Sequence, residues 1–187
     1  MKSVLKYQIW FFVVLVFPGL TGASKTELEA VDVEVVVKGY STINEWKMIS
    51  KEATGRLNLD KENGGLRGLR LQLPVKSLKS GTSAMERDAY RALKAEEFPE
   101  IFFSLSEIQT RETTGLITRF EAVGELTLAG VKRIVPVNAT SQNMDEKLVI
   151  KGNTQIKLSN FEVTPPSAMF GLIKSGDEVS VEFQMVF

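Results

Sequence analysis

The side chains that could do chemistry in this sequence are carboxylates, amines and hydroxyls. The 187-residue chain contains no histidine and no cysteine. Without histidine there is no Ser-His-Asp triad, no imidazole acid–base catalyst and no HExxH metal helix. Without cysteine there is no disulfide, no cysteine zinc site, no thiol nucleophile and no lipid-modified cysteine. Most common hydrolytic and redox mechanisms are therefore excluded.

Paired carboxylates are one catalytic arrangement that this composition still allows, because a glycosidase needs only two of them. Glu96 with Glu97 and Asp145 with Glu146 are adjacent acids in predicted loops. Such neighbours are typical of solvated surface charge, and the acids show no EF-hand spacing. We therefore predict that the protein is not an enzyme and has no catalytic residue, no metal site and no cofactor.

The overall composition is that of a globular protein with balanced charge. Basic and acidic residues both number 23, so the formal net charge is zero. A nucleic-acid-binding domain normally has a basic face, so no nucleic-acid partner is expected. Hydrophobic residues make up 43% and charged residues 25% of the chain, which argues against disorder. No repeat or linker divides the sequence, and its length suits one domain.

Residues 1–23 have the layout of a cleaved secretory signal peptide. Lysines provide a basic start, residues 9–17 (IWFFVVLVF) are apolar, and small residues lead up to Ala23. The alternative is a membrane anchor, but a spanning helix needs about 20 predominantly apolar residues and this run ends at Pro18. We expect cleavage after Ala23, a mature domain of residues 24–187, a periplasmic or secreted location and no stable membrane insertion.

Alternation of apolar and polar residues is the dominant pattern after residue 23, and it predicts β-strands. The segments with this character are residues 33–37, 55–60, 69–75, 101–105, 119–123, 126–128, 134–140, 148–158 and 179–187. They make about eight strands with mostly short connections, as in an antiparallel meander. Closing such a sheet into a barrel removes its exposed edges. The predicted fold class is therefore all-β, an eight-stranded antiparallel barrel.

One segment departs from this alternation and predicts an amphipathic helix. Ser83 and Glu86 have the spacing of a capping box. Met85, Ala89 and Leu93 then recur at helical spacing. The pattern predicts a helix over residues 84–94, placed to cover an open end of the barrel.

Several segments, in order along the chain, resemble the YceI-like family. Residues 85–93 (MERDAYRAL) and 98–103 (FPEIFF) are similar to its Arg-Asp pair, the following Leu and its Phe/Tyr-Pro-x-Ile-x-Phe strand start. Residues 124–132 (GELTLAGVK) are similar to its Gly-x-Leu-Thr-Ile-x-Gly-Val strand and turn. Residues 161–166 (FEVTPP) and 176–179 (GDEV) resemble its closing segment.

A further similarity lies near the start of the mature chain. Residues 39–46 (GYSTINEW) resemble a Gly-x-Ser-x-Leu-His-Asp-Trp motif of one branch of the family. Asn44 stands where that motif usually has histidine, and Glu45 where it usually has aspartate. The missing histidine would matter only if the residues of this motif took part in a chemical reaction. The simpler interpretation is that its polar residues fix a loop by hydrogen bonds.

The resemblance covers almost all of residues 24–187 and implies a lipocalin-like barrel with an elongated apolar interior. Family members are secreted or periplasmic, and some bind polyisoprenoids or other long-chain amphiphiles inside the barrel. The resemblance supplies no catalytic residue. It implies that the partner is a long-chain lipid or isoprenoid. A homodimer is compatible with the sequence, as is a monomer.

The inward positions of the alternating segments, together with Trp46, are the predicted ligand-binding lining. They are Trp46, Leu57, Leu59, Leu69, Leu71, Leu73, Phe103, Leu105, Leu126, Leu128, Val135, Val137, Ile156, Leu158 and Phe183. The alternative is that these side chains fill the barrel, leaving an exported structural or interaction domain without a ligand. An apolar cavity of several hundred Å³ would support binding, and a packed interior would support the alternative.

Two further groups concern the mouth of the barrel. Phe170, beside Met169, suits a ligand portal. Arg87 and Arg91 on the predicted helix, with Lys94, are candidate contacts for an anionic headgroup. The alternative for these cations is an ordinary solvated charge or a contact that ties the helix to the barrel.

Overall fold

The computed structural model describes residues 25–60, 65–168 and 172–187. The predicted signal peptide lies outside these residues. The strands are β1 (Lys25–Glu29), β2 (Asp32–Ser41), β3 (Glu45–Ser50), β4 (Thr54–Asp60), β5 (Leu66–Pro74), β6 (Glu100–Thr114), β7 (Ile117–Leu128), β8 (Val131–Met144), β9 (Lys147–Lys157), β10 (Ser167–Ala168) and β11 (Ile173–Val186). The helix α1 is Ser83–Ala92. Within these residues, no helix has both the length and the apolar character needed to cross a bilayer.

The strands form a curled antiparallel sheet. Its order is β1-β4-β5-β6-β7-β8-β9-β11-β2-β3, with β10 paired to β11. β1 and β2 follow each other in the chain with a short bend between them, yet they lie towards opposite ends of this order. At the bend, the Ala30 amide donates to the Gly55 carbonyl of β4 (2.8 Å) and the Val31 amide donates to the Val186 carbonyl of β11 (2.7 Å). The bent β1–β2 segment therefore crosses the seam of the barrel.

The all-β fold class with one helix is confirmed, but the strand count differs from the predicted eight. The additional strands are the short β1, β3 and β10. β3 carries Trp46, Met48 and Ser50 on alternate positions, and a serine at one of them weakens the apolar alternation. Ser50 is nevertheless buried, because its hydroxyl forms a hydrogen bond of 2.6 Å with the Ser77 hydroxyl. The buried hydroxyl of β3 therefore has a hydrogen-bond partner that is distant in the sequence.

The capping box predicted for the helix start is wrong, because the N-cap residue is not the one predicted. The N-cap residue is Thr82, with no side-chain cap hydrogen bond, and the helix ends at Ala92 instead of Lys94. Lys94 has a positive φ of 52°, so it cannot continue the helix. The Glu86 carboxylate instead holds the segment before the helix, because it accepts the amides of Ser80 (3.0 Å) and Gly81 (3.1 Å).

A tyrosine fixes α1 to the barrel wall. The Tyr90 hydroxyl donates to the Leu78 carbonyl (2.7 Å), beyond the end of β5. The same hydroxyl accepts a hydrogen bond from Lys79 Nζ (3.1 Å), which raises the pKa of Lys79. The helix is thereby held against the residues that follow β5.

Asp177 in β11 provides a link whose strength depends on pH. Its carboxylate accepts the Ser159 hydroxyl (2.6 Å) and the Ser159 amide (2.7 Å), and these hydrogen bonds lower its pKa below the ordinary value of 3.8. A lowered folded-state pKa stabilises the fold above the unfolded-state pKa, and this contribution is lost as the pH falls through the folded-state value. We expect the free energy of unfolding to fall below about pH 4.

Urea denaturation across an acidic pH series measures this effect. The Asp177→Asn variant should show a weaker fall of the unfolding free energy on acidification than the unsubstituted protein. Glu178→Gln is the matched control, because Glu178 is exposed and makes only a surface ion pair of 3.4 Å with Lys157. Equal acid sensitivity in Asp177→Asn and the unsubstituted protein would contradict the prediction.

Candidate functional site

The curled sheet and α1 line an apolar cavity of about 490 Å³, which is partly open to solvent. Small-molecule sites typically measure about 300–1,000 Å³. Strands from all around the barrel contribute to the lining, α1 contributes Met85, Ala89 and Ala92, and its C-cap residue Leu93 contributes as well. Among the described residues of the lining, Asp88 is the single charged one. The barrel interior is therefore hollow where α1 covers it.

Most of the predicted lining residues border this cavity. They are Trp46, Leu71, Leu73, Phe103, Leu126, Leu128, Val135, Val137, Ile156, Leu158 and Phe183. They come from β3, β5 to β9, the turn after β9 and β11, and apart from Trp46 the alternation placed them on one inner surface. Their contact with a ligand stays a prediction.

Four other predicted residues lie inside the barrel but outside the cavity lining. Leu57 is fully buried (0% exposed) and Leu69 nearly so (5%). Leu59 and Leu105 are half-buried and pack against the same core. These leucines belong to a packed part of the interior. Alternation distinguishes inward from outward positions, but it does not tell how far along the barrel a residue lies.

The two arginines predicted to contact a headgroup do not border the cavity. Arg87 and Arg91 are exposed on α1 and are absent from the described lining, whereas Met85, Asp88 and Ala89 border the cavity. This division follows from the helical repeat, which places residues three and four apart on one face. Arg91 instead donates to the Asp88 carboxylate (3.1 Å). Phe170 lies outside the described residues.

The helix face and two valines of β2 are lining residues that the sequence reasoning missed. Ala89 and Ala92 border the cavity beside Met85, and Val35 and Val37 do so from β2. The signal was present, since the apolar face of the predicted helix consists of the same residues. Treating the helix only as a cover concealed its contribution to the lining.

Three aromatic side chains of the cavity wall lie directly over glycines of neighbouring strands. An added Cβ at each of these glycines would collide with the aromatic ring. The pairs are Trp46 over Gly39, Phe103 over Gly124 and Phe183 over Gly152. A glycine lets a ring lie closely against the backbone. The rings therefore form part of the wall, and the central space stays open.

Gly152→Ala should both destabilise the barrel and reduce ligand binding. The new methyl group would push the Phe183 ring away from β9, because the ring atoms occupy its position. Overpacking of this kind typically costs about 1–3 kcal/mol in the free energy of unfolding. Urea denaturation measures the stability, and displacement of a fluorescent apolar probe measures the binding.

Gly68→Ala is the matched control for this substitution. A Cβ at Gly68 would make only ordinary contacts, with the nearest atom of Asn58 at 3.5 Å. Combining Gly152→Ala with Phe183→Leu should restore part of the lost stability, since the two single changes couple through one contact. If Gly152→Ala were as stable as Gly68→Ala, the proposed role of the glycine would be refuted.

Hydrogen bonds at the cavity mouth join β3 to β11 and close the turn between β2 and β3. The Trp46 indole donates to Ser175 Oγ (3.1 Å) and lies 3.2 Å from the Tyr40 carbonyl. The Ser41 hydroxyl donates to the Asn44 carbonyl (2.8 Å). Asn44, at the position where the family motif has histidine, is thus part of a hydrogen-bonded turn. This arrangement agrees with the interpretation of the motif as a loop tie.

The carboxylate pairs do not form a catalytic arrangement. Glu96 and Glu97 are exposed, as are Asp145 and Glu146, and none of the four borders the cavity. In the part of the chain that the structure describes, no three acidic residues are grouped to hold a metal ion. A second concavity of about 670 Å³ lies on the outer face of the sheet and is lined by both acidic and basic side chains.

Comparisons with known proteins give one family and one fold. A model of the YceI-like domain matches residues 23–187. A comparison with curated protein sequences found no match. The structure of BcnA from Burkholderia cenocepacia is similar, with a TM-score of 0.68 and 19% identity over 83% of this chain and 96% of that chain.

Two further solved structures share the fold. One is a polyisoprenoid binding domain from Saccharophagus degradans, with a TM-score of 0.61 and 11% identity over 88% of this chain and 98% of that one. The other is the YceI protein of Campylobacter jejuni, with a TM-score of 0.54 and 14% identity over 100% of this chain and 98% of that one. At these identities the similarity establishes the architecture alone.

Proposed function

The chain belongs to the YceI-like domain family, and we propose that it holds a long-chain apolar molecule, an isoprenoid or another lipid, inside its barrel. The observation that carries this proposal is the apolar cavity of about 490 Å³, which is partly open to solvent. The similar domain from Saccharophagus degradans is described as polyisoprenoid binding, which adds support. A hollow interior argues against the alternative of a filled structural or interaction domain.

The physical chemistry of burial allows useful affinity in such a cavity. Each buried methylene contributes about 0.8 kcal/mol. A chain of about ten buried carbons therefore offers about 8 kcal/mol, from which association costs of at least about 4 kcal/mol are subtracted. A longer chain reaches micromolar affinity, which corresponds to about 8 kcal/mol net.

The proposed role is binding and not catalysis. Apolar side chains dominate the described lining, and its polar members are mainly hydroxyls. A ligand here would be held by its hydrocarbon part. This proposal agrees with the absence of histidine and cysteine from the whole chain.

We also propose that the protein acts in the periplasm or outside the cell. The support is the signal-peptide layout of residues 1–23 in the sequence. Cell fractionation with sequencing of the mature N-terminus tests it, and we expect a first residue of Ser24. A full-length protein in the cytoplasmic fraction would overturn this location.

Native mass spectrometry of protein purified from its own host tests the binding proposal. We expect a mass increment over the mature chain, and solvent extraction should release a long-chain lipid or isoprenoid. An apolar fluorescent probe should bind the extracted protein and be displaced by the recovered lipid. A preparation without bound lipid that also fails to bind the probe would overturn the proposal.

A further inference from the structure

We infer that the cavity takes amphiphiles with an uncharged polar headgroup and discriminates against carboxylates and phosphates. This inference rests on the proposed function, because it specifies the class of ligand for the same cavity. The evidence for this inference is the set of charged and polar side chains that border the cavity.

Among the described residues that border the cavity, none is a lysine or an arginine. The polar ones, which include hydroxyls, one amide and one carboxylate, are Ser41, Asn44, Thr82, Asp88, Thr154, Ser167 and Ser175. An ionised headgroup that leaves water needs a charged partner to offset its lost hydration. A carboxylate or phosphate would find no such partner in this lining.

The one charged lining residue would repel an anion. The Asp88 side chain is about one-third exposed (35%) and forms an ion pair of 3.1 Å with Arg91. Arg91 itself is mostly exposed (79%) and does not border the cavity. The cavity lining therefore presents the Asp88 carboxylate, and not the Arg91 guanidinium, to a headgroup. The ion pair with Arg91 weakens both the repulsion of an anion and the attraction of a cation by Asp88, so neither charged headgroup is favoured over an uncharged one.

Uncharged hydrogen-bonding groups are available at the same mouth. The Ser175 hydroxyl accepts from the Trp46 indole, which leaves the serine O–H able to donate to a ligand. The side-chain oxygen Oδ1 of Asn44 lies 3.0 Å from the Ser41 hydroxyl, which leaves the side-chain NH2 of Asn44 able to donate to a ligand. These groups match an alcohol, amide, ester or quinone oxygen. An uncharged headgroup also loses less hydration on entering than an ionised one.

Arg87 is one of the cations that the sequence suggested for an anionic headgroup, with Arg91 and Lys94. It is exposed on α1 and does not border the cavity. Because Arg87 does not border the cavity, replacing it tests the opposite interpretation, in which the protein recognises an anionic headgroup outside the cavity. If an anion were recognised outside the mouth, Arg87 would be one of the cations that bind it.

Three ligands with the same alkyl chain test the inference: 1-dodecanol, dodecanoate and dodecylammonium. Each competes with the fluorescent probe N-phenyl-1-naphthylamine at about pH 8, where the acid is ionised. We expect dodecanol to bind at least about tenfold more tightly than dodecanoate. We expect dodecylammonium to bind between the two.

A charge series at position 88 separates headgroup recognition from general hydrophobicity. The affinity for dodecanoate should rise about fivefold from the unsubstituted protein to Asp88→Asn, and again to Asp88→Lys. The affinity for dodecanol should stay constant across the series. Arg87→Ala should leave the affinities for all three ligands unchanged. Circular dichroism and thermal unfolding verify that each variant is folded.

Two results would overturn the inference. One is dodecanoate binding as tightly as dodecanol to the unsubstituted protein. The other is a tenfold loss of dodecanoate affinity in Arg87→Ala. Either leaves the proposed function intact, since the cavity would still hold an alkyl chain. If neither the probe nor any of the three ligands binds, the proposed function fails together with the inference.

Discussion

Replacing Ala89 with tryptophan is expected to weaken the binding of an apolar ligand about a hundredfold. Ala89 lies on the cavity face of α1 and is half-buried. An indole at this position would occupy space that a hydrocarbon chain needs. Losing three to four buried methylenes at about 0.8 kcal/mol each amounts to about 3 kcal/mol, or about a hundredfold in affinity. Probe titration measures the dissociation constants.

Arg87→Trp is the matched control, because it puts the same ring on the exposed side of the same helix. We expect this control to bind the probe as the unsubstituted protein does. The Ala89→Trp variant should remain folded, since the helix is fixed independently by the hydrogen bond from Tyr90 to the Leu78 carbonyl. Undiminished binding by folded Ala89→Trp would show that the ligand does not occupy this cavity.

Leu57→Ala is expected to lower the free energy of unfolding by about 3–4 kcal/mol. Leu57 is fully buried and does not border the cavity. In the sheet it lies opposite Leu28 of β1 and Leu69 of β5. Truncation removes apolar contacts from a packed region and leaves a new void there. Urea denaturation, with circular dichroism as the signal, measures the change.

Leu126→Ala is the control for this substitution, because it removes the same atoms from a residue that borders the cavity. Leu126 is only half-buried and already faces open space. Its truncation enlarges an existing void, so the expected loss is smaller, about 1–2 kcal/mol. Equal losses for the two variants would indicate a uniformly packed interior. The pair therefore tests the hollow barrel without any ligand.

The local patterns of the sequence determined the fold class, the helix and the inward face of the longer strands. Two-residue alternation placed Leu71, Leu128 and Val137 correctly inside the barrel. Helical spacing identified α1 to within a few residues, and the motifs along the chain identified the family. The absence of histidine and cysteine excluded most catalytic mechanisms. Each of these conclusions depends on residues that are close together in the chain.

Only the tertiary structure decided which inward residues border a cavity and which fill the core. Leu57 and Leu71 both occupy inward positions, yet one is packed and the other borders the cavity. This difference in packing depends on how far along the barrel axis each residue lies and on which side chains lie opposite it across the interior. Phe183 lies over Gly152, its partner on the neighbouring strand, which is 31 residues earlier in the chain. This contact helps keep the lumen open. Such pairings are set when the sheet curls and the bent β1–β2 segment crosses its seam, and no local pattern in the sequence records them.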